Sequence, residues 1–350
     1  MKIAVLTSGG VDSSVALRLL KEQGHQLTAF YLKIWLEDEL SHLADCPWEQ
    51  DLQYVRQICE EIDVPLEIVP MQKEYFDTVV AYTLEEVKAG RTPNPDIMCN
   101  SNIKFGLFLD KIDSSYEKIA TGHYAQVLEE DGSFYLKQAP DPVKDQTYFL
   151  ANLSQAQLSR VTFPIGQYSK EEVRALAEKY DLPNKTRKDS QGICFLGKFK
   201  YSDFIKHYLG EKPGDILDYE SGEKLGQHEG FYYYTIGQRK GIKLGGGPYY
   251  VVDKDCSKNL VYVSKNYHAE DKARDTVNVT KFNWFSGQHP ENAHLRVKLR
   301  HGPDFHHGKI SYHDDSATIH LDTKDQGIAP GQFAVFYDQE KCLGSAVITD

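Results

Sequence analysis

Two cysteines stand in short motifs whose residue types suit sulfur chemistry. Cys99 follows a loop stiffened by two prolines, at residues 90–100, and is expected in or near the first turn of a helix that starts near Asp96. The helix dipole at that position favours the thiolate form of a cysteine. Asp96, one turn earlier, is either the N-cap of this helix or a proton acceptor that faces the same pocket.

The second cysteine, Cys194, belongs to the run Asp-Ser-Gln-Gly-Ile-Cys-Phe at residues 189–195. Gly192 permits an unusual backbone conformation, so an exposed loop is expected around the thiol. The basic side chains near Asp189 give the region a local net charge of +4; they are Lys185, Arg187, Lys188, Lys198 and Lys200. This charge predicts either a contact surface for a polyanion or an ordinary solvated basic face.

A third motif, Ser-Gly-Gly-Val-Asp-Ser-Ser at residues 8–14, follows an apolar run and opens a helical pattern. Small residues at a helix N-terminus present free backbone N–H groups and the positive end of the dipole, so they can bind an anion. No lysine follows in the position that serves the β- and γ-phosphates in the G-x-x-x-x-G-K-[ST] loop. The motif therefore predicts ATP cleavage between the α- and β-phosphates. Asp12 either helps to hold a magnesium ion or caps the helix.

The composition limits the class of protein. The chain has 350 residues, a formal net charge of -11 and 41% hydrophobic residues, which indicate two or three ordinary globular domains rather than a strongly basic nucleic-acid binder. No apolar run approaches the roughly 18 to 20 residues that cross a bilayer, and no export signal is recognisable, so we expect a cytoplasmic protein without membrane association. The six cysteines include no C-x-x-C pair, which argues against a zinc ribbon.

Elements that position these motifs can be predicted from hydrophobic periodicity. Strand-like runs alternate with helical patterns in the first third of the chain, at residues 3–6, 27–32, 66–69 and 118–121, with helices between them, including 75–88 and 102–112. This alternation predicts an α/β fold with a doubly wound parallel sheet. Residues 36–50 interrupt the pattern and are expected to form a loop.

The pattern is mainly helical from 150 to 210, where Ser169 and Glu172 form a capping box, and changes afterwards to short alternating runs. These runs predict small antiparallel strands, at 230–236, 249–252 and 260–263, and then a barrel from 277–284, 295–299, 317–321 and 333–337. We therefore expect a nucleotide-type domain with a helical extension at 1–205, a central β-rich domain at 206–275 and a C-terminal β-barrel at 276–350.

Six motifs in chain order resemble those of the tRNA-specific 2-thiouridylase family, at residues 8–14, 90–100, 121–124, 144–146, 189–195 and 234–239. The nucleotide loop is shared by all N-type ATP pyrophosphatases, whereas the two cysteine motifs together are specific to this family. The resemblance implies an N-terminal N-type ATP pyrophosphatase domain, of the adenine nucleotide alpha hydrolase-like type, followed by a small β-rich domain and a β-barrel.

The resemblance also implies an activity. An enzyme of this family uses ATP, with Mg²⁺, to adenylate the C2 oxygen of the wobble uridine in the anticodon stem-loop of tRNA, and then inserts sulfur to give 2-thiouridine. Cys194 would carry the persulfide, Cys99 would attack it and leave a transient Cys99–Cys194 disulfide, and Asp96 would be the general acid or base. A sulfur donor protein, either a cysteine desulfurase or a sulfur relay protein, is the implied partner.

The site residues implied by the resemblance fall into three groups, and no resident metal site is among them. The ATP-binding group is Leu6, Thr7, Ser8, Gly9, Gly10, Val11, Asp12, Ser13, Leu32 and Gly122. The target-base group is Asn94, Pro95 and Asp96. The tRNA-binding group is His123, Lys144, Asp145, Gln146, Arg300, His301 and Gln332.

Two other functions remain open. Another ATP pyrophosphatase-type synthetase that forms amides or amidines would need an ammonia or amine source, for which no glutaminase-like region is present, and would leave Cys99 and Cys194 unexplained. A non-catalytic RNA-binding module would not need Asp12 and Asp96. Of the remaining cysteines, Cys46 is either incidental or a spare sulfur relay; the others are expected to be structural or incidental, namely Cys59, Cys256 and Cys342.

Overall fold

The computed structural model describes residues 1–34, 48–189 and 201–349. Their strands form three sheets of five, four and eight strands. Within these ranges, no helix has both the length and the apolar character needed to cross a membrane.

The first sheet is parallel and has the order β3-β2-β1-β4-β7. Its strands are β1 (Lys2–Leu6), β2 (Gln26–Lys33), β3 (Leu66–Pro70), β4 (Lys118–Ala120) and β7 (Val161–Thr162). The order reverses between β1 and β4, and open α/β sheets bind ligands outside the carboxyl ends of the strands at such a point. The predicted doubly wound sheet is thus confirmed. The strand order reverses beside β1, which is the strand that leads into the loop at 8–14.

Nine α-helices lie within the described residues. They are α1 (Val11–Glu22), α2 (Trp48–Glu61), α3 (Gln72–Tyr75), α4 (Ala81–Lys88), α5 (Pro95–Met98), α6 (Thr147–Leu150), α7 (Gln155–Leu158), α8 (Lys170–Lys179) and α9 (Tyr201–Leu209). Of these, α1 and α2 pack against β2 of the parallel sheet. A π-helical segment (Phe76–Val80) joins α3 to α4, and another (Cys99–Leu107) extends α5, before a short 3₁₀ turn (Leu109–Lys111). The predicted capping box is present at α8, where Ser169 and Glu172 satisfy each other's backbone N–H groups.

The central domain contains a four-stranded sheet with the order β10-β11-β8-β9. The strands are β8 (Gly214–Asp218), β9 (Lys224–His228), β10 (Tyr250–Asp255) and β11 (Leu260–Ser264), with 3₁₀ turns at Phe231–Tyr233 and Glu270–Lys272. The strand predicted at 230–236 is wrong. Its alternating aromatic residues form the first of these turns because Tyr232 and Tyr233 both donate hydroxyl hydrogen bonds to the Gly210 carbonyl.

The C-terminal domain is a closed barrel with the order β12-β15-β14-β13-β16-β17, in which β12 also pairs with β17. Its strands are β12 (Arg274–Trp284), β13 (His294–Lys298), β14 (His306–His313), β15 (Ser316–Asp325), β16 (Phe333–Asp338) and β17 (Lys341–Ile348). The predicted barrel is confirmed, although its β14 and β17 were not predicted.

A hairpin of the first domain joins the barrel. It consists of β5 (Ala125–Glu130) and β6 (Ser133–Gln138), and β6 pairs with β17 through Leu136 and Cys342. Backbone hydrogen bonding therefore continues from the nucleotide-type domain into the barrel. The barrel is held in a fixed position beside the loops of the first domain, a feature that the sequence pattern did not predict.

Candidate active site

The loop after β1 is folded tightly around its own backbone. Ser8 donates its backbone N–H to Ser13 Oγ at 3.2 Å, and the Ser13 hydroxyl donates to the Gly10 carbonyl at 3.0 Å. Gly9 has a φ of +72°, and a Cβ there would lie 2.6 Å from the Asp51 carbonyl oxygen, so only glycine fits. The loop therefore has the compact form expected of an anion-binding helix N-terminus.

Asp12 does not cap α1, because Gly10 is the N-cap residue and no side chain caps the helix. Its carboxylate instead accepts hydrogen bonds from the Lys170 ammonium at 2.8 and 3.0 Å and from the Tyr124 hydroxyl at 2.8 Å. Burial, followed by the charge of Asp12, raises the pKa of Tyr124 well above its usual range, so this hydroxyl stays a donor. The capping interpretation of Asp12 is thus wrong.

Three cationic side chains surround the carboxylate of Asp189. Lys144, Lys170 and Arg174 contact its carboxylate at 2.7 to 2.8 Å. Partial burial opposes ionisation, but the hydrogen bonds and charges of Lys144 and Lys170 outweigh it and lower the pKa of Asp189 to about 2. Since Lys170 contacts both Asp12 and Asp189, one ammonium connects the nucleotide loop with the start of the second cysteine motif.

The predicted ATP-binding residues lie at one edge of the sheet. Residues 6–13 leave β1, Leu32 lies near the end of β2, and Gly122 follows β4. A Cβ on Gly122 would lie 2.6 Å from the Ser13 backbone nitrogen, so this glycine packs directly against the first turn of α1. The structure therefore brings these residues together, as a nucleotide pocket requires.

The loop that leads to Cys99 ends in a helix with a different cap from the predicted one. Asn94 is the N-cap, and its Oδ1 accepts the Ile97 backbone N–H at 3.3 Å. Asp96 is consequently the second residue of α5, half-buried and not a cap. The helix begins at Pro95, near Asp96 as predicted, and Cys99 directly follows its first turn, where it is 2% exposed.

Residues of both other domains hold this loop. Gln332 of the barrel donates to the carbonyls of Thr92 (3.1 Å) and Pro93 (2.9 Å), and its Oε1 accepts from Asn94 Nδ2 at 3.3 Å. On the central-domain side, a Cβ on Gly90 would lie only 2.1 Å from Cys256 Sγ. The loop is therefore fixed at the junction of three domains.

The resemblance assigned Gln332 to RNA, but the hydrogen bonds just described occupy both ends of its amide. Asp145 is 1% exposed, bonds the Thr147 hydroxyl at 2.8 Å and pairs with the buried Lys298 at 3.5 Å. A direct contact of Asp145 with RNA disagrees with this burial. Gln146 accepts the Tyr124 backbone N–H at 2.9 Å, which positions Tyr124 toward Asp12. These three residues have internal partners that the sequence pattern did not predict.

His123 is held inside the first domain. Its Nδ1 lies 2.6 Å from Thr121 Oγ1, and its ring contacts Phe105 and Phe163. Burial, with a smaller contribution from Lys104, holds the pKa of His123 well below its ordinary value, so the ring is neutral at pH 7. A charged contact between His123 and a phosphate is therefore not expected.

Arg300 and His301 lie at the barrel edge. Arg300 donates hydrogen bonds from both terminal guanidinium nitrogens to the Asp325 carboxylate. The centre of the His301 ring lies 4.5 Å from that of the Phe149 ring. Burial would raise the pKa of Asp325, but the hydrogen bonds from His306 and Arg300 lower it strongly. The RNA contact of Arg300 and His301 stays a prediction, as does that of Lys144.

Two of the five basic residues expected near Asp189, Lys185 and Arg187, have carboxylate partners. Lys185 pairs with Asp181 at 2.7 Å and Glu178 at 3.1 Å. Arg187 pairs with Asp51 and donates to the Gly9 carbonyl at 3.0 Å, so it supports the nucleotide loop. The polyanion contact of Lys185 and Arg187 stays a prediction, although both cations already have carboxylate partners. Lys188 is exposed, whereas Lys198 and Lys200 lie outside the described residues.

Cys194 and Cys46 also lie outside the described residues, together with Gly192 and the rest of the run at 190–195. Cys59 and Cys342 are buried, as expected for structural cysteines, and burial raises the pKa of Cys59 to about 11. Cys256 is partly buried against Gly90.

The side chains give little support for a protein-only magnesium site. Among the described residues, no group of three or more His, Cys, Asp or Glu could hold a metal ion. Asp12 already has Lys170 and Tyr124 as partners. These residues do not fit a dedicated cation cage, in keeping with the preference of Mg²⁺ for nucleotide phosphates and water.

Sequence reasoning missed Lys170, Arg187 and Gln332 as structural partners of the candidate site. The capping box fixes the first residue of α8, which is Lys170. No local signal, however, relates that lysine to a loop 158 residues earlier.

Three family models cover the chain. Residues 1–198 match the tRNA methyl transferase HUP domain, 202–265 the tRNA methyl transferase PRC-barrel domain, and 274–348 the aminomethyltransferase beta-barrel domain. The chain is 48% identical over 356 residues to the tRNA-specific 2-thiouridylase MnmA of Parabacteroides distasonis, covering 100% of this chain and 99% of that protein. It is 45% identical over 354 residues to MnmA 2 of Bacteroides fragilis strain YCH46 (99% and 100% covered). The MnmA of Porphyromonas gingivalis strain ATCC 33277 is 44% identical over 359 residues (100% and 99% covered).

Proposed function

Because the chain belongs to the family of tRNA-specific 2-thiouridylases, we propose that it uses ATP to replace the C2 oxygen of the wobble uridine in tRNA with sulfur. The observation that carries this proposal is that one domain contains both a candidate nucleotide-binding loop and the loop that leads to Cys99. The compact loop at residues 8–14, which no lysine follows, lies at the switch point of the sheet. The loop that leads to Cys99 is held by residues of the other two domains and lies beside the same sheet.

The first step activates the uridine. The C2 oxygen attacks the α-phosphorus of ATP, pyrophosphate leaves, and the oxygen becomes part of an AMP leaving group. The backbone of residues 7–13 would bind the departing phosphates, and the Lys170 ammonium would add positive charge at the first turn of α1. Asp96, half-buried one turn before Cys99, would accept or return the proton at the base.

The second step inserts sulfur. A persulfide on Cys194 supplies the sulfur, and the Cys99 thiolate attacks the inner sulfur to form the Cys99–Cys194 disulfide. The hydrosulfide released in this way attacks C2, and AMP departs with the original oxygen. The protein loses two electrons to the transferred sulfur, so a thiol reductant must reduce the disulfide before the next turnover.

The wider assignment follows from the same function. The substrate is the anticodon stem-loop of a tRNA, the sulfur comes from a cysteine desulfurase or a relay protein, and Mg²⁺ enters with ATP. We place the reaction in the cytoplasm, where tRNA and ATP are available. The predicted division into domains at 1–205, 206–275 and 276–350 stays a prediction; the family matches, at 1–198, 202–265 and 274–348, divide the chain close to these positions. Two elements cross the predicted boundaries, α9 (Tyr201–Leu209) and β12 (Arg274–Trp284), so we place each boundary a few residues before the predicted position.

The decisive experiment measures pyrophosphate release and RNA thiolation together, with unmodified tRNA, ATP and a persulfide donor. A 2-thiouridylase releases pyrophosphate only with tRNA and forms 2-thiouridine. An amide-forming synthetase would release pyrophosphate without thiolating RNA. A non-catalytic RNA-binding module would bind tRNA without releasing pyrophosphate.

A further inference from the structure

The central domain carries a concentration of positive charge that the proposed reaction does not use. Between the Phe231–Tyr233 turn and β10, residues 238–249 contain Arg239, Lys240 and Lys243 and no acidic residue. Lys265 lies at the same place, with its ammonium 5.0 Å from the centre of the Tyr249 ring. We call these four residues, Arg239, Lys240, Lys243 and Lys265, the central basic surface.

The charges of this surface are exposed and mostly uncompensated. Arg239, Lys240, Lys243 and Lys265 are all exposed. Within the described ranges, no carboxylate forms an ion pair with Arg239 or Lys240, and Lys243 has only the exposed Glu229 at 3.2 Å. This differs from Lys185 and Arg187, whose charges are matched by nearby carboxylates. The chain as a whole has a net charge of -11, so this surface is a local region of positive potential, which attracts anionic partners.

The local shape suits a large partner. A cavity of about 360 Å³ lies between Arg239, Lys243 and Tyr249. Beside it, a Cβ built on Gly245 or Gly246 would meet no atom within 4 Å, so the backbone is open to close approach. The Arg239 guanidinium lies 5.9 Å from the centre of the Tyr250 ring, which in turn stacks on Tyr267 at 4.8 Å. Aromatic ring faces attract cations within about 6 Å, so the Tyr250 ring favours this position of the Arg239 guanidinium.

The central basic surface belongs to the domain that contacts the loop at residues 90–94, which leads to Cys99. Gly90, where that loop begins, packs against Cys256 and against the Phe231 ring, at 3.7 Å from a Cβ built on Gly90. Phe231 starts the turn that leads directly into residues 238–249. A polyanion with one nucleotide at the Cys99 loop could therefore extend over the central domain.

We propose that the central basic surface binds the phosphate backbone of the tRNA substrate, at a site separate from the predicted contacts of Lys144, Arg300 and His301. This proposal rests on the proposed function, because that function supplies the polyanion. Phosphate contacts position a nucleic acid without reading its sequence, so the surface would contribute affinity and orientation rather than choice of base.

The test is the charge reversal Arg239→Glu/Lys240→Glu in the full chain, with Arg56→Glu/Lys179→Glu as a control of equal charge change at exposed positions on α2 and α8. Affinity for unmodified tRNA is measured over a series of KCl concentrations. We expect the variant to bind about tenfold or more weakly, with a slope of log affinity against log salt reduced by about two units. ATP affinity should stay unchanged, and the control should keep the wild-type slope.

If the reversal impairs folding, as judged by its thermal unfolding, Arg239→Gln/Lys240→Gln replaces it, with the same expected change in slope. An unchanged tRNA affinity and slope would overturn the proposal. Weaker binding of a desulfurase or relay protein at unchanged tRNA affinity would also overturn it, because the surface would then serve a protein partner. Failure of the proposed function is distinguishable, since the wild-type protein would then not release pyrophosphate in response to tRNA.

Discussion

The ammonium of Lys170 lies 2.8 Å from Asp12 Oδ1, although the two residues are 158 positions apart in the chain. The loop at residues 8–14 has no lysine of its own after its glycines, and α8 brings one to the first turn of α1 from outside the motif. Lys170 is 14% exposed and also contacts Asp189, so its position is fixed from two sides.

Replacing Lys170 with alanine should therefore impair the use of ATP. We expect tRNA-dependent pyrophosphate release to fall about 100-fold, the typical effect of removing one group that stabilises a transition-state charge. Binding of tRNA should be nearly unchanged, and Lys170→Arg should restore part of the rate because it keeps the charge. Lys179→Ala, on the exposed end of the same helix, is the control. A normal rate in Lys170→Ala would rule out this role.

Asp12→Asn should also reduce nucleotide turnover while leaving tRNA binding intact. The change removes the charge that orients Lys170 and Tyr124 at the nucleotide loop. In both the variant and the wild-type protein, the products should be AMP and pyrophosphate, measured by chromatography of the nucleotides. Stoichiometric ADP and inorganic phosphate would contradict the proposed cleavage between the α- and β-phosphates.

The two proposed catalytic cysteines should fail at different steps. Cys194→Ser should accept no sulfur from a persulfide donor, whereas Cys99→Ser should load a persulfide on Cys194 and then stall. Both variants should still bind ATP and tRNA, since neither thiol belongs to the nucleotide loop. Mass spectrometry of the protein and thiouridine analysis of the tRNA give the readout, with Cys59→Ser, at a buried position on α2, as the control. Full thiolation by Cys99→Ser would refute the assignment.

Gln332→Ala should loosen the loop that precedes Cys99. The truncation removes the donors to the Thr92 and Pro93 carbonyls and the acceptor for Asn94. We expect the free energy of unfolding to fall by about 1–3 kcal/mol, the usual cost of leaving partly buried polar groups without partners. Thiolation should fall while ATP affinity stays unchanged. The exposed Gln288, also in the barrel domain, provides the control Gln288→Ala, and equal effects of the two changes would contradict the positioning role.

Asp189 should contribute to acid stability. Its folded-state pKa is lowered from 3.8 to about 2, because its ion pairs with Lys144 and Lys170 outweigh the effect of burial. A lowered pKa means that the contribution is complete above about pH 4 and is lost as the pH falls toward 2. Asp189→Asn should therefore reduce the pH dependence of urea unfolding between about pH 4 and 2. The same slope in Asp189→Asn and the wild-type protein would exclude this contribution.

Much of the local chemistry was determined by the sequence alone. The serines and glycines of residues 8–14 form hydrogen bonds among themselves, from Ser8 to Ser13 and from Ser13 to Gly10, and Ser169 with Glu172 caps α8 within one turn. Apolar patterning likewise predicted the parallel sheet and the barrel, because β1 and β2 are nearly continuous buried runs, whereas barrel strands such as β15 alternate between buried and exposed residues. The N-cap interpretation of Asp96 was wrong, because Asn94, two residues earlier, caps α5 instead.

Only the tertiary structure decided which side chains meet. Lys170 at Asp12, Arg187 at Gly9 and Gln332 at Pro93 are contacts over 158, 178 and 239 positions, and the intervening chain leaves no periodic trace of them. Long-range contacts of this kind depend on how whole sheets and helices are oriented against one another. For the same reason the burial of Asp145, which lies in a polar run of the sequence, could not be predicted: its partner, Lys298, lies 153 positions later in β13.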